Sequence, residues 1–159
     1  VDWLEFDTDN CSVQRTLDVI GDRWSVLVLR EVFNGVRRFD RIKQHTGISD
    51  SVLSDRLRRL LDAGVLVASE YREPGSRRRK EYRLTDAGLD LQPVLISMLR
   101  WGDKHRADPA GPSLNVVHRG CGAPVRTEIV CDAGHPVPQR EVRNEPGPGA
   151  RKRATGPVA

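Results

Sequence analysis

A mainly α fold of the α+β class is predicted by three observations on this chain of 159 residues. Short segments with helical apolar spacing come first, two segments rich in β-branched and aromatic residues flank "PGSRR", and a longer helical run follows. The length suits one domain with a small appendage and a real core, and no apolar run approaches a membrane span.

The elements can be justified in order. "SVQRTLDVIG" places Val13, Leu17 and Ile20 at spacings of four and three, a short helix ending near Gly21. "RWSVLVLREVFNG" has one broad apolar face with Trp24, Leu27, Val28, Val32 and Phe33 and stops at Asn34-Gly35, which predicts the buried central helix. "RRFDRIKQHTG" predicts a shorter helix that buries Phe39 and Ile42 and ends at Gly47. Next, Ser49 is a good N-cap, Gly64 a good residue just past the helix, and Leu53, Leu57, Leu60 and Leu61 form the apolar stripe between them. "VLVASEYRE" and "RKEYRLT" then read as a hairpin with a basic tip. Thr85 can cap a last helix carrying Leu91, Leu95, Met98, Leu99 and Trp101, in which Pro93 marks a kink or a restart because it has no N–H.

Charge is distributed unevenly. Val1 to Asp22 holds one Arg against six acids, whereas Arg23 to Arg83 holds fifteen basic and eight acidic residues. Positive charge concentrated in one block suits a polyanion such as nucleic acid, since each phosphate contact releases condensed counterions. The alternative is a solvated surface that happens to be basic.

Helices, a two-stranded wing and a long helix, in that order, describe a winged helix-turn-helix with a long C-terminal helix and a small β-rich tail. In such a unit the helix starting at Ser49 enters the major groove and the wing tip meets phosphate or the minor groove. Opposite its leucines that helix carries Ser51, Asp55, Arg58 and Arg59, with Ser54 at the margin. Hydroxyl and guanidinium groups match base edges and phosphates. Three Arg balance three Asp along it, so an ordinary amphipathic surface helix is the competing reading. The wing favours DNA. Arg77, Arg78, Arg79 and Lys80 repel one another in a turn that Asn, Gly or Ser would fill more easily, although edge strands also use cations as guards.

From Cys11 to Lys104 the chain resembles the HxlR-type winged-helix transcriptional regulators of bacteria. The resemblance rests on Cys11 itself, "IGDRW" at Ile20 to Trp24, "RRFDRI", "GIS..VLSDRLRRL..AG", "EYRLT" at Glu81 to Thr85 and "PVL..ML.WG" up to Gly102. It implies a homodimer formed through the first and last helices, double-stranded operator DNA with two half-sites as partner, and a repressor rather than an activator. It also implies that Arg56 and the first residues of the reading helix face DNA; Arg38 and Ser49 join the expected contacts. Ser12 replaces the Pro usual after the Cys, and Ser51 replaces a longer, often basic residue, which bears on the operator sequence. Cys11 carries the family's possibility of a redox or electrophile sensor. Arg15 would favour its thiolate, Asp7, Asp9 and Asp18 would oppose it, and a buried thiol at the dimer seam is the alternative.

The expected boundaries are 1–107 for DNA binding and dimerisation, 108–143 for a β-rich extension, and 144–159 for a flexible basic tail. In the extension, His118, Cys121, Cys131 and His135 follow H-x2-C-x9-C-x3-H, two imidazoles and two thiolates that could hold structural Zn; without metal, "NVVHRG" and "VRTEIV" read as a small β-hairpin. His135 stands one position beyond the usual end of a Cys-x-x-Cys knuckle, where Gly134 sits. A metal-dependent enzyme would need an open ligand position and a base, for which Glu128 is the nearby candidate, and none of G-x-S-x-G, a P-loop or H-E-x-x-H occurs. A winged-helix protein-interaction module without DNA is the remaining alternative. With no apolar h-region in "VDWLEFDTDN" and an odd, sparse set of three cysteines, the expected location is cytoplasmic, away from membranes.

Overall fold

A computed structural model describes residues 1–72, 75 and 78–153. It contains a 3-10 turn at Trp3–Glu5, α1 (Ser12–Ile20), α2 (Arg23–Phe33), α3 (Phe39–Thr46), α4 (Asp50–Asp62), β1 (Leu66–Tyr71), β2 (Arg79–Leu84), α5 (Asp86–Leu89), α6 (Gln92–His105) and a 3-10 turn at Gln139–Glu141. The chain divides into two compact units, Val1–Leu17 with Glu128–Ala159, and Asp18–Thr127. The division falls at 127/128 instead of the expected 107/108. Among the described residues no helix is long and apolar enough to cross a membrane.

In the unit Asp18–Thr127 the core gathers Val28, Leu29 and Val32 of α2, Ile42 of α3, Ile48, Leu53, Leu57 and Leu60 around α4, and Val65, Leu66 and Tyr82 from the base of the hairpin. α2 is therefore the central helix, as its apolar face predicts, although Trp24, Leu27 and Phe33 are half-buried at its flanks. Phe39 of α3 is half-buried as well, with Ile42 the residue fully enclosed. The expected stops are real: Gly35, Gly47 and Gly64 take left-handed φ values of 82, 71 and 68°.

β1 and β2 pair antiparallel from Leu66↔Leu84 to Tyr71↔Arg79, and Arg38 adds a one-residue bridge to Glu81. Thr85 fastens the base of this hairpin: its N–H donates to Val65 O at 3.1 Å, its Oγ1 donates to Gly64 O at 2.5 Å, and the same Oγ1 accepts from Gly88 N at 3.1 Å. Gly88 is required there, because a Cβ would stand 2.3 Å from the Val65 carbonyl oxygen. Pro93 sits in the first turn of α6, so the expected interruption is a restart and not a kink. α6 turns Leu91 and Leu95 toward the core but leaves Val94, Met98 and Trp101 exposed. α1 leaves Val13 and Leu17 exposed.

Of the expected hairpin of "NVVHRG" with "VRTEIV" only the first rungs form, around the Val117↔Pro124 bridge, with His118 N donating to Ala123 O and Val125 N to Val116 O, both at 2.8 Å, and no strand develops. A second small turn is closed by the Val130↔Pro136 bridge. The first turn is tied to α6 through Arg100 Nη2 to Val125 O, 2.5 Å, and Ser97 Oγ to Thr127 Oγ1, 3.2 Å. In the other unit, the described part of the segment expected to be flexible is bonded to the N-terminal stretch: Asp7 N donates to Arg151 O, Arg153 N to Glu5 O, and Lys152 Nζ to Glu5 Oε2 at 3.1 Å.

Candidate nucleic-acid interface

α4 begins after a left-handed glycine and an extended Ser49, whose Oγ accepts from Val52 N at 3.5 Å. With Leu53, Leu57 and Leu60 turned inward, Ser51, Ser54 and Arg58 are exposed on the outer side and Asp55 is half-buried beside them. These four positions are three or four residues apart and form one stripe. Asp55 organises it, pairing with Arg58 and accepting from Arg56 Nη1 at 2.9 Å.

Arg59, expected on that stripe, and Arg56, expected at DNA from the family resemblance, bond within the protein. Arg56 is only 21% exposed and lies with Nε 3.0 Å from Asp22 Oδ1, a close ion pair in which Nε itself makes no hydrogen bond. Arg59 Nη2 donates to the Asp18 carbonyl of α1 at 3.2 Å. Both brace the reading helix against the start of the core. Asp22 is the counterpart that sequence reasoning passed over: it is the N-cap of α2, accepting from Trp24 N at 3.0 Å, Ser25 N at 3.1 Å and Ser25 Oγ at 2.5 Å. Its burial pushes the carboxyl up, but the Ser25 bonds and the Arg56 charge outweigh this and hold it below the usual carboxylate value. An Asp directly before an apolar helical run was a usable signal for this role.

The wing cations are engaged with carboxylates. Arg78 Nη1 lies 3.3 Å from Glu70 and Arg79 Nη1 3.5 Å from Asp40, both pairs well exposed; Lys80 is exposed, and Arg77 lies outside the described residues. Such pairs are worth about 0–1 kcal/mol each, so exchanging a carboxylate for a phosphate costs little. Arg38 stands at the N-cap position of α3, its side chain not bonded to the helix end, and stacks its guanidinium 4.2 Å from the Tyr71 ring centre on β1. A continuous polar strip results. Arg79 reaches Asp40 at the start of α3, and one turn on, Lys43 pairs with Asp50 at the start of α4 at 2.7 Å, next to Ser49 and Ser51.

The HxlR-like helix-turn-helix family model matches residues 19–109. The chain belongs to the HxlR family. The HTH-type transcriptional regulator Rv3095 of Mycobacterium tuberculosis is 40% identical to this HxlR-family chain over 139 residues, 87% of each. The regulator YdeP of Bacillus subtilis is 32% identical over 67% of this chain and 82% of its own. Among solved structures, PA1607, described as a transcription factor, superposes with a TM-score of 0.76 at 36% identity over 86% of this chain and 95% of its own. The redox regulator HypR in its oxidised form gives 0.55 at 30% identity, over 62% of this chain and all of its own. HxlR proteins are DNA-binding transcriptional regulators and not enzymes.

The remaining predicted residues of this HxlR protein are Cys11, His118, Cys121, Cys131 and His135. Cys11 is a free, half-buried thiol just ahead of α1, its N–H donating to Thr8 O at 3.0 Å. His118 Nδ1 and Cys121 Sγ meet at 3.1 Å, while Cys131 N donates to His135 O at 3.0 Å. The first pair belongs to the unit Asp18–Thr127 and the second to the other unit. Among the described residues no three His, Cys, Asp or Glu side chains gather as a metal site.

Proposed function

We propose that this HxlR-family chain is a homodimeric repressor that reads double-stranded operator DNA through the outer stripe of α4 and grips its backbone with the wing. The carrying observation is the strip from Arg79 through Asp40, Lys43 and Asp50 to Ser51, which brings base-reading and phosphate-binding chemistry onto one edge. Ser51, Ser54 and Arg58 read bases, Ser49 caps the helix that presents them, and Asp55 orients Arg58. Arg77, Arg78, Arg79 and Lys80 take phosphates. Arg38, Arg56 and Arg59 act by holding α3 and α4 in place.

A dimer is supported by what α1 and α6 leave uncovered: Val13 and Leu17 on one, Val94, Met98 and Trp101 on the other, each at least 42% exposed. Apolar faces of this kind mark association surfaces. A two-fold dimer would meet two half-sites about one helical turn apart. The protein acts in the cytoplasm, on DNA. Cys11 is a candidate redox sensor, supported by its partial exposure and by the likeness to HypR.

Fluorescence anisotropy with duplexes from the DNA flanking the protein's own gene tests the proposal. The expected result is tight binding of one duplex over its scrambled version, with affinity falling steeply with salt. Equal binding of both, or the shallow salt response of an acidic protein partner, would favour the interaction-module reading.

A further inference from the structure

We propose that the cavity between the α2–α3 loop, α3 and β2 binds a small organic oxyanion, a phosphate or carboxylate carried on an apolar body. Its volume is about 760 Å3, within the roughly 300–1,000 Å3 range of small-molecule sites. Arg37, Arg38 and Arg41 line it against a single carboxylate, Glu81, and that carboxylate already accepts from Arg83 Nε at 2.8 Å. The remaining excess of positive charge suits an anion. Arg41 has the neutral oxygen of Gln44 as its hydrogen-bond acceptor, at 3.2 Å, and a ligand oxyanion would be a stronger one.

His45 is fixed in the wall from behind. Its Nδ1 bonds the fully buried Glu31 Oε2 at 2.5 Å, and the other Glu31 oxygen accepts from Arg30 Nε at 2.9 Å. With Nδ1 directed at the inner carboxylate, His45 serves the site as a fixed ring in its wall, and the arginines supply the donors to the anion. Val36 and the Cβ-free Gly35, with nothing within 4 Å of the space a side chain would fill, supply an apolar margin for the ligand's body.

The cavity lies round α3 from the polar strip. Lys43 faces α4, whereas Arg41 and His45, each two residues away, stand about 160° from it on the helix. A free ligand, rather than an operator phosphate, is therefore the occupant. Arg37 O accepts from Tyr82 N at 2.8 Å and Arg38 bridges to Glu81, so an anion held here would join α3 to the base of the wing.

Phenyl phosphate and benzoate, titrated at constant ionic strength into the full chain without DNA and followed by 15N NMR, provide the test. Saturable shifts at residues 35–45 with at least one probe are expected. Arg41→Ala and Arg37→Ala should each weaken binding by roughly tenfold, the loss of one charge-assisted contact, while Glu81→Gln should tighten it. Unsaturable shifts with both probes, or unchanged binding in the Arg37/Arg41 double variant, would overturn the proposal. It is equally overturned if that double variant lowers the salt slope of DNA binding by about two, since an operator phosphate would then be the occupant. The titration uses no DNA, so its result stands apart from that of the operator assay.

Discussion

If Arg56 braces the reading helix instead of touching DNA, its removal should cost stability before it costs phosphate contacts. Asp22→Ala removes a helix cap, typically about 1 kcal/mol, together with the charge opposite Arg56. The side chains in that pair are 21% and 31% exposed, between a surface pair worth about 0–1 kcal/mol and a buried one whose breaking costs about 3–5. We expect Asp22→Ala to destabilise the protein by about 2–3 kcal/mol, Arg56→Ala by about 1–2, and the double variant to show a coupling of roughly 1 kcal/mol. Urea denaturation at fixed protein concentration, with unchanged slope, gives all three numbers. Arg56→Ala should also leave the salt slope of DNA binding unaltered. Zero coupling, or a slope reduced by about one, would show that the guanidinium belongs to the DNA contact and that the Asp22 pairing is incidental.

Other consequences can be checked independently. Changing Arg78, Arg79 and Lys80 to Ala should weaken specific and scrambled DNA alike and lower the salt slope by up to about three, measured by anisotropy across a salt series. Arg58→Ala should instead reduce discrimination between operator and scrambled DNA by roughly 1–3 kcal/mol; full discrimination would make the stripe a solvated surface. Burial pushes the Glu31 carboxyl up, but bonds from His45 and Arg30 outweigh it and leave the group below its ordinary 4.5. Its contribution is therefore complete above that value and lost as pH falls through the depressed one, so urea midpoints should drop between about pH 5 and pH 3, less so in Glu31→Gln. Elemental analysis of chelator-free protein decides the tail: about one zinc per chain, lost in Cys121→Ser, would establish the four-ligand site, whereas no zinc, with Cys121 and Cys131 both alkylated in the native state, would leave the segment a packing element.

How much of this was legible in the sequence depends on the range of the interaction. The helix ends at Gly35, Gly47 and Gly64 and the caps at Ser49 and Thr85 follow from local backbone chemistry, so they stand where the sequence puts them. Pro93 likewise marked the restart that opens α6. A helical wheel shows which residues face outward but not what waits there. Arg59, assigned to the polar face, meets a carbonyl 41 positions away, and Arg56, expected at DNA from the resemblance, meets Asp22 across the fold. The tail differs for a similar reason: the pairing of "NVVHRG" with "VRTEIV" begins, but the Val125 carbonyl that a next rung would use accepts from Arg100 of α6, 25 positions away.

The joint at Thr85 and Gly88 has a consequence for how such a protein can change its target. Where α4 ends, at Gly64 and Val65, the chain returning from the wing is fastened by main-chain oxygens and by a contact too close for any side chain. The offset between α4 and the hairpin is thus set by backbone and not by the outer residues of α4. On the reading proposed above, Ser51, Ser54 or Arg58 can therefore be exchanged without altering where the wing lands, so the alphabet α4 reads and the distance over which the protein spans its site are free to vary separately.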